Sequence, residues 1–277
     1  MKIINSGSER NFIILKRKVI LIDNNQESLK KYVFVSKFLK DNRINVPRIY
    51  EIFPNFVILQ NLGDNLYSLI RKKPRNNRWL LEKYSKIINE IIKIHSLDMY
   101  YGKGFNFFDL RVLRWEWKYF IENYLLNYLG YRFVDRWYYF LEIVVNTCYN
   151  VYRNYRSLIH RDLQSTNVIF YKRKPYLIDF QGMMVGNFLY DLASLLEDPY
   201  VNLPDFLKER LIYLYFQKSL FSSSLSLLYK YYKVQRLVQV LGAFSFLSIH
   251  KNKEFFIDKL RNSFNVYRSI VQELKNL

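Results

Sequence analysis

The residues whose types and order could do chemistry lie between positions 160 and 181. His160-Arg161-Asp162 is followed by Leu163-Gln164-Ser165-Thr166-Asn167, and Asp179-Phe180-Gln181 stands a short segment later. An aspartate that accepts a hydroxyl proton, an asparagine with a neutral oxygen and a second aspartate are the side chains that metal-assisted phosphoryl transfer uses. That reaction asks a protein for positioning, for cations that neutralise phosphate oxygens, and for a carboxylate that orients the attacking hydroxyl. On this reading Asp162 accepts the proton, while Asn167 and Asp179 offer hard oxygens to Mg²⁺, which shares its shell with nucleotide phosphates. The plain alternative is a pair of turn aspartates and a capping asparagine, residue types common in loops. The combined spacing of all three argues against it.

These residues need elements to hold them. Val168-Ile169-Phe170-Tyr171 and Tyr176-Leu177-Ile178 read as strands joined by Lys172-Arg173-Lys174-Pro175, a hairpin that sets Asn167 and Asp179 at neighbouring ends. Upstream, Phe12 to Leu15 and Val19 to Ile22 read as a second hairpin. A helix follows Asp23-Asn24-Asn25, with Leu29, Val33, Phe34, Phe38 and Leu39 at helical spacing. Further strands are expected at 48–52 and 56–59. Beyond the polar, Gly-bearing break Gln60-Asn61-Leu62-Gly63-Asp64-Asn65 the chain reads as helical at 79–95, 113–129, 136–155, 207–220, 225–250 and 255–274. The expected architecture is α+β and bilobal, with a small β-rich N-lobe and a mostly helical C-lobe, and the likeness of residues 160–181 to a kinase catalytic loop implies that this is a protein-kinase-like fold. Residues 1–60 would form the nucleotide-binding lobe and 61–277 the catalytic and substrate lobe.

The chain resembles the aminoglycoside phosphotransferase and choline kinase superfamily and, within it, the cell-wall sugar kinases that phosphorylate the anomeric hydroxyl of N-acetylmuramate and N-acetylglucosamine. Ile178-Asp179-Phe180-Gln181 stands where protein kinases have Asp-Phe-Gly. Tyr190-Asp191-Leu192-Ala193, Leu59-Gln60-Asn61-Leu62-Gly63 and Gln235-Arg236-Leu237 resemble further family segments, so the likeness spans nearly the whole chain. The resemblance implies an ATP-dependent, Mg²⁺-assisted kinase of a small-molecule acceptor, an amino sugar by this likeness. It implies that Asp191 anchors the catalytic loop, that His160 supports it structurally, and that Gln60 lies at a nucleotide-contacting hinge.

Departures matter as much. A kinase strand of the Val-Ala-Ile-Lys type would put lysine where Ile22 stands. Lys18 shares its face but lies about 13 Å away along a strand. The abbreviated loop Asn5-Ser6-Gly7-Ser8-Glu9-Arg10 carries one glycine, so Arg10, whose fork engages two oxygens, and Ser8 become the candidates for the phosphates. Glu27, in the first helix, is the acidic residue available for pairing there. On the substrate side, Asp109 and Glu116 stand among aromatic rings near a helix start, a combination that suits sugars and suits a core equally in a chain that is 18% aromatic. His95 and His250 read as surface or capping residues at helix ends.

Bulk composition frames these readings. The chain has 277 residues, one cysteine (Cys148) and a formal net charge of +19. A single cysteine excludes an intramolecular disulfide and a multi-cysteine zinc site. Charges interrupt every apolar run well before about 18 residues, and a cytoplasmic protein without membrane contact is expected. The positive charge reads either as an anion-binding field or as a chain-wide bias towards Lys, and no specific nucleic acid is expected. A cationic chain suits neutral or anionic acceptors over aminoglycosides; kinases of other alcohols, and a non-catalytic anion-binding scaffold, remain the competing classes.

Overall fold

A computed structural model describes residues 2–5, 10–72, 76–98, 104–249 and 263–275. In chain order its first elements are β1 (Lys2–Asn5), β2 (Asn11–Ile14), β3 (Lys18–Ile22), α1 (Gln26–Asp41), β4 (Ile49–Ile52), β5 (Phe56–Gln60), α2 (Leu66–Lys72) and α3 (Asn77–His95). There follow β6 (Asn106–Phe107), α4 (Leu110–Phe120), a π-helical segment (Ile121–Tyr128), α5 (Asp135–Asn154), β7 (Ser157–Ile159), β8 (Val168–Tyr171) and β9 (Lys174–Leu177). The chain continues through β10 (Met184–Gly186), α6 (Phe188–Leu196), α7 (Asp205–Lys218), α8 (Tyr229–Ile249) and α9 (Ser263–Lys275). These elements group into two compact units. The first comprises Met1–Leu97, His160–Met183 and Leu203–Leu220, and the second Asp98–Ile159, Met184–Asn202 and Phe221–Leu277.

In the first unit β1-β2-β3-β5-β4 form an antiparallel sheet in that order, built from short β-branched runs. Asn25 caps α1 by accepting from Ser28 N, which explains the helix start after a run of Asp and Asn. The buried stripe of α1 is Leu29, Tyr32, Val35, Ser36 and Leu39, whereas Phe34 is exposed. The expected stripe through Val33, Phe34 and Phe38 is therefore rotated. The run Tyr32-Val33-Phe34-Val35 is apolar all round, and the stacking of Tyr32 on Phe180, with ring centroids 4.8 Å apart, decides which side faces in. Asn65 starts α2, a helix the sequence reading did not include, by accepting from Ser68 N at 2.9 Å. The same residue donates through Nδ2 to Thr166 O at 3.1 Å, tying α2 to the loop before β8. His95 is buried at the end of α3, with Nδ1 2.8 Å from Tyr215 Oη of α7, so it is a packed residue and not a surface one. His250 and residues 255–262 lie outside the described residues.

The β8–β9 hairpin closes with a two-residue turn in which Lys172 and Arg173 have φ of 48° and 66°. Both are left-handed positions that favour Asn and Gly. Replacing Lys172-Arg173 by Asn-Gly is expected to raise stability by about 0.5–1 kcal/mol, read as a higher denaturation midpoint.

The second unit packs α4, α5, α6, α8 and α9 with a small sheet in the order β6-β10-β7. Two glycines permit close approaches. A Cβ on Gly242 of α8 would stand 3.0 Å from Phe120 N. One on Gly186 would collide with Ile159 Cδ1 and stand 2.9 Å from its Cγ1. Gly186→Ala is expected to cost about 1–3 kcal/mol by overpacking. Adding Ile159→Val, which removes the nearest atom, should return part of the lost melting temperature; equal melting temperatures for Gly186→Ala and wild type would refute the contact.

Among the described residues no helix is long and apolar enough to cross a membrane.

Candidate active site

The candidate residues with chemistry in reach lie within the first unit. Between β7 and β8 the chain forms a loop in which His160 is fully buried and donates through Nε2 to Ile178 O at 3.0 Å. That bond fixes the proton on Nε2. Arg161 takes a left-handed φ of 75°. The Asp162 carbonyl accepts from Gln164 N at 3.0 Å and from Asn167 Nδ2 at 2.8 Å, so the backbone of the loop is pinned around Asp162. Ile178 N donates to Asn167 O at 3.0 Å, and the paired strands Val168–Tyr171 and Lys174–Leu177 hold that junction. The hairpin thus brings Asn167 and Asp179 to adjoining chain positions.

The Asn167 bond has a chemical consequence. Its amide nitrogen is committed to Asp162 O, so its amide oxygen is the end left to meet a cation. Asp179 adopts a left-handed conformation, φ 61° and ψ 33°, with its side chain about half exposed. Gln181 Nε2 donates to Asp179 Oδ1 at 2.5 Å, and Arg10 Nη1 approaches the same oxygen at 3.7 Å. Both contacts are to Oδ1, and Oδ2 is the other carboxylate oxygen that could be offered to a cation. Phe180, directly after Asp179, is fully buried and stacks on Tyr32, whose phenol burial pushes up and keeps protonated.

Arg10 is itself buried. It donates through Nε to Asp23 Oδ2 at 2.7 Å and through Nη2 to Ser28 Oγ at 2.5 Å. Burial alone would raise the Asp23 carboxyl, but its bonds from Arg10, Ser28 and Asn25 N outweigh that and hold it below the ordinary carboxylate value. Lys18, by contrast, is about half exposed, lies 3.6 Å from Glu51 and sits over the Tyr50 ring. It is engaged away from Asp179. Glu27 is exposed. Gln60, at the end of β5, donates its N–H to Arg48 O at 2.8 Å, and Gly63 beyond it has φ 88°, the turn conformation that needs glycine. Ser8 lies outside the described residues.

The second unit holds the remaining candidates. Asp191 is fully buried in the first turn of α6. Asp109 caps α4, accepting from Arg111 N at 3.0 Å, and pairs with the Arg111 guanidinium at 3.1 Å. Glu116 is fully buried, accepting from Tyr190 Oη at 2.9 Å and from Gln235 Nε2 at 2.9 Å. Gln235 also accepts from Trp117 Nε1 at 3.0 Å, which closes a polar network inside the helices. An enclosed carboxylate with these partners presents no oxygen to an acceptor in this conformation. Sequence reasoning did not single out Asp23, Ser28 or Gln181 as site residues; Gln181 had a signal, its place after Asp179-Phe180.

Among the described residues no group of His, Cys, Asp and Glu is arranged to hold a metal by itself. Asn167 and Asp179 could each offer a hard oxygen, and Mg²⁺ held by one or two protein oxygens completes its shell with water and nucleotide phosphates. The residues fit that ion.

The chain is 24% identical over 185 residues to an N-acetylmuramate/N-acetylglucosamine kinase of Pseudomonas putida, a match covering 65% of this chain and 52% of the relative. It therefore spans about half the length of the curated relative it matches. An aminoglycoside phosphotransferase with bound ADP superposes with a TM-score of 0.65 at 13% identity, covering 99% of this chain and 93% of that one. An ethanolamine kinase of Plasmodium vivax gives a TM-score of 0.67 at 17% identity, covering 95% and 80%. At these identities the likeness shows the fold, an α+β fold of the protein-kinase-like kind. A model of the phosphotransferase enzyme family matches residues 3–219, and the chain belongs to that family.

Proposed function

We propose that this protein transfers the γ-phosphoryl group of ATP to a hydroxyl group of a small molecule, an amino sugar of the N-acetylmuramate or N-acetylglucosamine kind. The observation that supports the reading is the joining of Asn167 and Asp179 through the Ile178 N to Asn167 O bond, with Asn167 Nδ2 and Asp179 Oδ1 already bonded within the chain, so that Asn167 Oδ1 and Asp179 Oδ2 are the oxygens we assign to a cation. Asn167 and Asp179 would hold Mg²⁺, which when bound neutralises charge on the phosphate oxygens. Asp162 orients the acceptor hydroxyl and takes its proton. Arg10 meets the nucleotide phosphates, with Ser8 and Gln60 as further nucleotide contacts. His160 holds the loop from beneath through Ile178 O, and Asp191 serves as its second anchor. Residues 1–60 are assigned to nucleotide binding and 61–277 to catalysis and acceptor binding, in a cytoplasmic protein with access to ATP.

Support for the amino sugar comes from the Pseudomonas putida relative and from the cationic chain, which disfavours a polycationic acceptor. On the acceptor side Asp109 is retained as a candidate, since its carboxylate is partly exposed at a helix start. Glu116 is assigned to packing, on its burial. The acceptor is decided by ADP release with Mg²⁺-ATP across N-acetylmuramate, N-acetylglucosamine, ethanolamine, choline and an aminoglycoside. Release stimulated by the amino sugars supports the proposal; stimulation by another alcohol alone moves the acceptor to that class. With folded protein and no acceptor-dependent release, the scaffold reading takes its place.

A further inference from the structure

With Ile22 where a strand lysine would stand, the sheet must fix a cation for the phosphates by other means. We infer that Asp23 and Ser28 are positioning residues that hold Arg10 in the strand lysine's place, an inference that rests on the proposed function.

Three sides of the Arg10 guanidinium are accounted for separately. Nε donates to Asp23 Oδ2 at 2.7 Å, Nη2 donates to Ser28 Oγ at 2.5 Å, and Nη1 is turned to Asp179 Oδ1 at 3.7 Å, beyond hydrogen-bond length. The first two bonds set the plane of the guanidinium, and the third direction is the one that matters for phosphate. The holder is built from the turn between β3 and α1. Asp23 Oδ1 accepts from Asn25 N at 2.9 Å, and the Asn25 side chain in turn accepts from Ser28 N at 3.1 Å. Strand register explains the pairing: Asn11 lies opposite Ile22, so Arg10, just before β2, and Asp23, just after β3, are cross-strand neighbours. The cation thus enters from the adjacent strand, and its carboxylate partner comes from the strand end while the helix residue Glu27 stays exposed.

A buried ion pair is a poor device for stability alone, because desolvation offsets most of the attraction and an apolar pair of like volume would serve as well. Placed beside Asp179, the aspartate proposed to hold the cation, a pre-aimed Arg instead saves the ordering of a long side chain when nucleotide binds. The arrangement makes Asp23 and Ser28 act on nucleotide through Arg10, without touching it.

The test is isothermal titration of Mg²⁺-ATP, with KM for ATP and for acceptor, on wild type, Asp23→Asn, Ser28→Ala and the charge-neutral double variant Arg10→Gln/Asp23→Asn. Asp23→Asn is expected to weaken ATP about tenfold or more, with KM for acceptor held within about twofold, since one charged bond of the holder is lost. Ser28→Ala is expected to weaken ATP by roughly threefold to tenfold, and an unchanged affinity removes Ser28 from the holder. The double variant no longer buries a lone charge, so its melting temperature should return towards wild type while ATP affinity stays lost. A structural ion pair predicts the opposite, affinity returning with stability, and that result overturns the inference, as does wild-type affinity in Asp23→Asn. If wild type itself fails to bind Mg²⁺-ATP, the functional reading falls and this inference with it.

Discussion

Asp162→Asn is expected to bind Mg²⁺-ATP as wild type does and to lose turnover by a factor on the order of 10² to 10⁴, the range a positioned proton acceptor contributes. The separation follows from how the loop is held. Asp162 is anchored through its carbonyl, by Gln164 N and Asn167 Nδ2, and neither bond involves the substituted carboxylate. An amide of the same shape is expected to keep these two bonds and to remove the carboxylate proposed to take the proton. Titration of nucleotide and steady-state kinetics on one preparation give both quantities. A variant with wild-type kcat would show that Asp162 is not the group that takes the proton.

Asp179→Asn should have the larger effect on metal use, with turnover lost by about 10³-fold or more, since several kcal/mol of charge stabilisation depend on the cation it would hold. The substitution is a clean one for a specific reason. Asp179 has φ 61°, a conformation that Asn tolerates and that most other residues adopt only under strain. Asp179→Ala would mix backbone strain with lost chemistry, whereas Asp179→Asn removes only the charge. The expected signature is a loss of the Mg²⁺-dependent rise in melting temperature given by ATP, with the melting temperature of the unliganded protein near wild type. A retained Mg²⁺-dependent shift would remove Asp179 from the metal site.

The arrangement of the candidate residues was legible because it is local. Asp162, Asn167 and Asp179 sit within one loop and one hairpin, and strand-like residues on either side of Lys172-Arg173 announce the hairpin. Contacts between distant segments were not legible in the same way. Arg10 stood out as a cation in a short Gly-bearing loop, but Asp23 and Ser28 become its partners only through the register that sets Asn11 opposite Ile22. The stripe of α1 was misplaced because four consecutive apolar residues fit several faces, and the deciding contact, Tyr32 on Phe180, joins positions far apart in sequence. Helix α2, seven residues of mixed polarity, is too short to carry a periodic signal. Leu113 to Leu129 read as one helix, and its second half is π-helical, with Asn123 Nδ2 bonded to Tyr119 O, a departure that side-chain periodicity does not encode. Glu116 shows the ambiguity most sharply. A carboxylate among aromatic rings describes a sugar site and a buried polar network equally, and Tyr190 and Gln235 close the network from helices far along the chain.

The most direct test of the account is ³¹P NMR of the protein with Mg²⁺-ATP and N-acetylmuramate or N-acetylglucosamine, run beside Asp162→Asn. The account predicts a new phosphomonoester signal on the sugar that grows as the ATP γ-phosphate signal falls, and its loss in the variant. Folded wild-type protein that leaves ATP and sugar unchanged, or a variant that makes the same product at the same rate, would contradict it.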